Sequence, residues 1–275
     1  MKAFEDITVS NSSIPSLIIT VIMMIVIPAF FFVYWRKKYK QSTSIRWFIA
    51  GAVGFIVSAR VLELGVHYFC IVADNPVSRF INANTAAYVL YGAIMAGVFE
   101  ECGRYIILKY ILKKDRTREN AVFYGIGHGG IEILTVLLPA MITYLVIAVL
   151  FSKGSVESTI ETLNITEENA AAALASVQAA ASFDYAVMAL NVIERLLAMF
   201  MHIGFSVIVY YGVVNEKKIC LLLAILAHIL VDIFAGLYQR GVVSLLMAEI
   251  WTAFWTAVIV VIALKLYKRM NRKCL

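Results

Sequence analysis

The chain has 275 residues, of which 62% are hydrophobic and 15% charged, with a mean hydropathy of +0.85 and a formal net charge of +6. These values exclude an ordinary soluble domain and describe a polytopic membrane protein. The surplus of basic residues hugs the ends of apolar runs, so it reads as topology information and not as a nucleic-acid surface.

A hydrocarbon core about 30 Å thick needs about 20 apolar residues per helix. Seven spans are predicted on that ruler, at 15–35, 47–72, 86–108, 121–151, 185–213, 219–239 and 243–267. The fold class is therefore all-α. The chain is expected to form a single transmembrane domain over residues 1–275, multi-pass in the cell membrane, with a motif-bearing core at about 86–239. Glu5 and Asp6 precede the first run and a basic cluster follows it, so 15–35 is expected to be a retained anchor helix and not a cleaved signal peptide. The second span carries Arg60, Glu63 and His67 along one face, with Arg60 and Glu63 expected to pair. The fourth and fifth spans are long enough to tilt or to extend beyond the membrane. Between them lies a loop at about 152–184, acidic and then alanine-rich (AAAALASVQAAASF), where a short surface helix is expected. Glu249, near the outer end of the last span, can reach the interface. Tyr34, Trp35, Trp47 and Tyr267, near span ends, are expected to act as interface anchors.

Short cytoplasmic loops collect Lys and Arg. The segments 36–46, 113–118, 217–218 and 268–273 hold 15 of the 24 basic residues, and all four fall on one predicted side. This places the amino terminus outside and the carboxyl terminus in the cytoplasm. Cys70, Cys102, Cys220 and Cys274 show no CxxC spacing, so neither a disulfide framework nor a thiolate metal site is suggested. Cys274 also sits too close to the end for a prenylation box.

Ionisable residues inside the spans are where function is to be sought. A charged side chain at the bilayer centre costs about 2.5 to 3.5 kcal/mol on insertion scales. Glu63, Glu100, Glu101, Glu132, Glu194, Asp232 and Glu249 all fall within predicted helices, a naive total on the order of 20 kcal/mol. Packing alone would not justify that, so these groups should pair, share a polar cavity or stay protonated.

Their spacing says which do. In the third span, FEECGR supplies Glu100, Glu101 and Arg104, with the arginine one turn on and angularly between the carboxylates. In the fourth, GIGHGGIE puts His128 and Glu132 on one face, and Gly125, Gly127, Gly129 and Gly130 strip away bulk so that neighbouring backbones can come close. A phosphate-binding loop would need a Lys and a Ser/Thr that are missing. The fifth span carries Glu194, Arg195 and His202, with Glu194 either supporting the site or serving as the counter-ion of Arg195. AHILVD in the sixth repeats the i, i+4 geometry with His228 and Asp232. Glu100, His128, His202 and His228 all lie about eight to twelve residues from the predicted cytoplasmic ends, so they can meet at one level.

Two adjacent carboxylates in a low-dielectric cavity resist double ionisation, and such a pair can both accept and donate a proton near neutrality. A glutamate so placed can take a proton from water and return it to a leaving amine. Histidines opposite can stabilise an oxyanion, and Asp232 can fix the tautomer of His228. Amide hydrolysis fits. The rival mechanism uses zinc, with His128, His202 and His228 plus Glu132 or Asp232 as ligands and Glu100 as base. The absence of HExxH favours the version without a cofactor.

Together, EECGR, GIGHGGIE, the ER...H of the fifth span and HILVD resemble the YhfC family of intramembrane proteases, itself grouped with the type II CAAX prenyl proteases and PrsW. The resemblance covers most of the chain from the third span to the sixth. It implies a glutamic-type site in which Glu100 activates water, Glu101 and Arg104 support it, and His128, His202, His228 and Asp232 complete it. CAAX proteases show EExxxR, whereas Arg104 comes one residue sooner, a rotation of about 100°. The expected activity is cleavage of a membrane protein or lipidated peptide within the bilayer. A proton-coupled carrier and a catalytically silent scaffold or immunity protein are the alternatives.

Overall fold

In hydrocarbon every backbone polar group must be satisfied within the protein, which leaves helices or closed barrels. Among the described residues of the computed structural model, namely 2–154, 156–167 and 169–270, all regular structure is helical. Cys274 and the last basic residues, Arg272 and Lys273, lie outside them. Seven helices are long: α1 (Ser13–Lys38), α2 (Ile45–Val72), α3 (Thr85–Ile106, continued by a π-turn segment through Ile111), α4 (Arg118–Lys153), α5 (Tyr185–Val214), α6 (Ile219–Gln239) and α7 (Leu245–Arg269). Six of them are long and apolar enough to cross a membrane, which makes this a multi-pass membrane protein. The exception is α3. Its length of 22 residues suffices, but Glu100, Glu101 and Arg104 dilute its apolar character, so it does not join the six and the predicted seventh span is not shown.

Helix starts follow from local chemistry. Asn84 caps α3 by accepting a hydrogen bond from the Ala87 amide at 3.0 Å, and Ser244 caps α7 through Met247 at 3.3 Å. Between α2 and α3 a short helix, Pro76–Ala83, opens on a capping box of Asn75 and Ser78 with proline in its first turn. Inside α2, residues Ile56–Glu63 and Tyr68–Val72 widen into π-helix. The i→i+5 pattern turns residues three apart off a common face. Glu63 accordingly meets His67 (3.2 Å) and not Arg60, which is exposed, and the expected Arg60–Glu63 pair is corrected to Glu63–His67.

The chain divides into two compact units. The first comprises Met1–Ile27 and Ile133–Arg195. Its core gathers Phe4, Leu17, Met141, Ile147, Val177 and Phe183. The predicted loop contributes two helices, Val156–Thr162 and Ala170–Ala181. The latter is docked, with Ser13 Oγ donating to Ala180 O at 2.7 Å. The second unit comprises Pro28–Glu132 and Leu196–Leu275, with Trp47, Phe123, Tyr124, Phe205 and Tyr210 in its core. Trp47 is only 1% exposed and packs edge-on to Tyr210, so it is a core residue and not an interface anchor. Trp35 and Tyr267 are also engaged inward: the indole donates to Glu119 O at 2.9 Å, and the Tyr267 hydroxyl lies 3.2 Å from Glu119 Oε1.

Candidate active site

The site belongs to the second unit and is assembled by glycine. A Cβ on Gly127 would stand 2.0 Å from Phe48 O of α2, and one on Gly125 would stand 2.6 Å from Ile203 Cα of α5. With hydrogen in place of a methyl, the first half of α4 lies backbone to backbone against both neighbours. Gly129 faces the His202 ring, where an added Cβ would sit 3.2 Å from its Cβ and Cδ2. The glycine-rich segment thus carries His128 into a space too narrow for ordinary side chains.

What converges there is Glu100, His128 and His202. Each offers one ligand atom, all within 4.8 Å of one another, and all three residues are buried. His128 Nε2 lies 2.9 Å from Glu100 Oε2, and His202 Nδ1 lies 3.9 Å from the same oxygen. The two imidazoles are 4.9 Å apart between ring centroids. Phe55 packs edge-on to His128, and Phe205 stacks on His228 at 5.0 Å, giving the polar groups apolar walls.

The tautomer of His202 can be argued from its partners. Arg104 Nη2 lies 3.3 Å from His202 Nδ1. A guanidinium only donates, so Nδ1 accepts and the proton sits on Nε2, which forms a very short contact with Glu132 Oε2. Glu132 therefore orients the ring, and Nδ1 lies between Arg104, which donates to it, and Glu100.

Glu101 has a different task. Arg104 Nε donates to its Oε2 at 2.9 Å and Nη2 to its Oε1 at 3.2 Å, and His228 Nδ1 lies 2.9 Å from Oε1. Both partners of the Arg104–Glu101 pair are fully buried. Despite arriving one residue earlier than in the CAAX pattern, the arginine makes a two-point contact with the carboxylate. Its Nη1 reaches Ser206 Oγ at 2.5 Å and His202 O at 3.3 Å. Ser206 was not singled out in the sequence; the available signal was its place four residues after His202, on the same helix face.

His228 is held at both nitrogens, by Glu101 and by Asp232 Oδ2 at 3.5 Å. It stands outside the Glu100–His128–His202 group, so of the three histidines expected to hold zinc only His128 and His202 gather, and Glu100, expected as the base, is the third donor beside them. Glu132 and Asp232 are the more accessible carboxylates, with side chains 19% and 28% exposed. Glu194 resolves to the counter-ion of Arg195, whose Nε donates to it at 2.6 Å, and both lie in the first unit.

The donor set suits a small divalent ion. Two ligands about 2.0–2.1 Å from a tetrahedral zinc stand about 3.3 Å from each other, close to the His128–Glu100 separation. Imidazole nitrogen and carboxylate oxygen are ligands that zinc accepts. A histidine whose far nitrogen is held by a carboxylate, as Glu132 holds His202, is the usual supporting arrangement around such ions.

Apolar, membrane-length helices and a buried Glu/His/His cluster are what a membrane-embedded metalloenzyme requires. Residues 23–252 match the YhfC intramembrane metalloprotease family, and the chain belongs to that family. It is 31% identical over 240 residues to the membrane protein YhfC of Bacillus subtilis (strain 168), described as uncharacterized, across 86% of this chain and 89% of that one. No solved structure matches it.

Proposed function

We propose that the protein is a metal-dependent intramembrane endopeptidase, with Glu100, His128 and His202 holding the ion. The observation that carries this is the convergence of those three buried donors, with Glu132 holding His202 at Nε2 and Nδ1 turned toward Glu100. The sequence favoured a cofactor-free glutamate mechanism; the donor cluster and the family description support the metal-dependent one instead. When bound, an ion in such a site polarises a carbonyl and acidifies water.

The chain's own residues supply the rest. Glu101, neutralised by Arg104, holds His228 at Nδ1 and leaves Nε2 directed at Asp232. That nitrogen is the group we assign to deliver a proton to the leaving amine, with Asp232 restoring it. Phe55 and Phe205 keep bulk water from the polar atoms. The substrate is a membrane protein or lipidated peptide, α3 crosses the bilayer with the other six helices, and the amino terminus lies outside.

The test is cleavage of reconstituted membrane-protein substrates, read as new amino termini. Cleavage should be lost in Glu100→Gln and on chelation, and regained when zinc is returned. Cleavage surviving chelation but not Glu100→Gln would restore the glutamate mechanism. A chain that cuts nothing while folding normally would make it a scaffold.

A further inference from the structure

A polar cavity lies where the end of α3 meets the α5–α6 turn, among residues to which the mechanism gives no part. It measures about 510 Å³, and its lining includes Tyr105, Lys109, Lys113, Arg116, Glu216 and Lys218. Four cations thus share one cavity with one carboxylate. Glu216 forms no ion pair with any of them among the described residues.

The cations are not equally free. Arg116 is fixed by three carbonyls: Nε donates to Leu112 O at 3.1 Å, and Nη2 to Leu108 O and Lys109 O at 3.2 Å each. Its Nη1 takes no part in these bonds. Lys109 donates to Tyr105 Oη at 2.9 Å, which leaves two of its three N–H groups. Lys113 and Lys218 are exposed. Cations near helix C-termini are favoured by the dipole, but that argument places charge at one helix end. It does not bring four cations from two chain segments around a common space, where they repel unless an anion lies between them.

The flanking residues indicate which anion. Tyr110 and Ile111 follow Lys109, and Ile219 and Leu222 follow Lys218; these four are 56%, 66%, 55% and 50% exposed. An apolar margin beside a basic cavity at helix ends matches a molecule with a phosphate head and acyl tails. We propose that this cavity binds the phosphate headgroup of an anionic phospholipid.

The experiment titrates the full-length, detergent-solubilised protein with phosphatidylglycerol, phosphatidylcholine or inorganic phosphate and follows its thermal unfolding midpoint. Phosphatidylglycerol should raise the midpoint, and the other two at equal concentration should not. Each lysine removed should weaken the apparent affinity roughly five-fold, so Lys113→Ala with Lys218→Ala should weaken it about 25-fold. Both lysines are exposed, so the lipid-free midpoint should not move, and Lys153→Ala should behave as wild type. Equal stabilisation by phosphatidylcholine, or full response in the double variant, would overturn the proposal. A response to inorganic phosphate alone would overturn its lipid assignment.

Discussion

Gly127→Ala tests whether the glycine-rich half of α4 is there to let backbones touch. The added Cβ would lie 2.0 Å from the Phe48 carbonyl oxygen, against at least 3.4 Å for an ordinary contact, so α2 and α4 must part by about 1.4 Å. The obstacle is a helical backbone that cannot rotate aside as a side chain would. Overpacking of this kind costs about 1–3 kcal/mol where side chains can yield, and the upper end is expected here. His128 is the next residue and moves with the helix, and a misplacement of about 1 Å at reacting groups costs about 10²-fold in rate. The assay is thermal unfolding in detergent together with zinc content by elemental analysis. Gly92→Ala in α3 is the control, since a Cβ there meets nothing within 4 Å; it should be neutral or stabilising by up to about 1 kcal/mol. Equal stability and zinc content in the two variants would refute the close approach of α2 and α4.

His128→Ala and His202→Ala should each lose bound zinc, whereas His228→Ala should keep it and lose cleavage, as measured by metal stoichiometry beside the cleavage assay. Glu132→Gln should lower zinc affinity about 10- to 100-fold without abolishing binding, measured by competition with a chelating dye. Arg104→Ala should destabilise by about 3–5 kcal/mol because Glu101 is left charged and buried, and Glu101→Gln combined with it should recover part of the loss in chemical denaturation. Glu63→Ala should perturb stability more than Arg60→Ala, since Glu63 is buried on His67 while Arg60 is exposed.

The amino-acid sequence by itself determined the helices and the residues worth watching. Apolar runs of bilayer length can only be helices or barrel strands, and runs this long exclude strands; accordingly 219–239 was predicted and Ile219–Gln239 is observed. The i, i+4 pairs His128/Glu132 and His228/Asp232, and the EExxR triplet, were legible because helix periodicity fixes angular position along one element. Partner choice across helices was not legible. Along α4 His128 and Glu132 look like a pair, yet His128 turns to Glu100 of α3 and Glu132 to His202 of α5. His228 reads as a zinc ligand in the sequence, yet its two nitrogens face Glu101 and Asp232 and it stands outside the Glu100–His128–His202 group. Arg60 and Glu63 were separated by a local widening of α2 that one-dimensional spacing does not carry. Sequence periodicity gives the direction in which a side chain leaves its own helix; which neighbour it meets depends on how the helices are packed and rotated, and only the tertiary structure decides that.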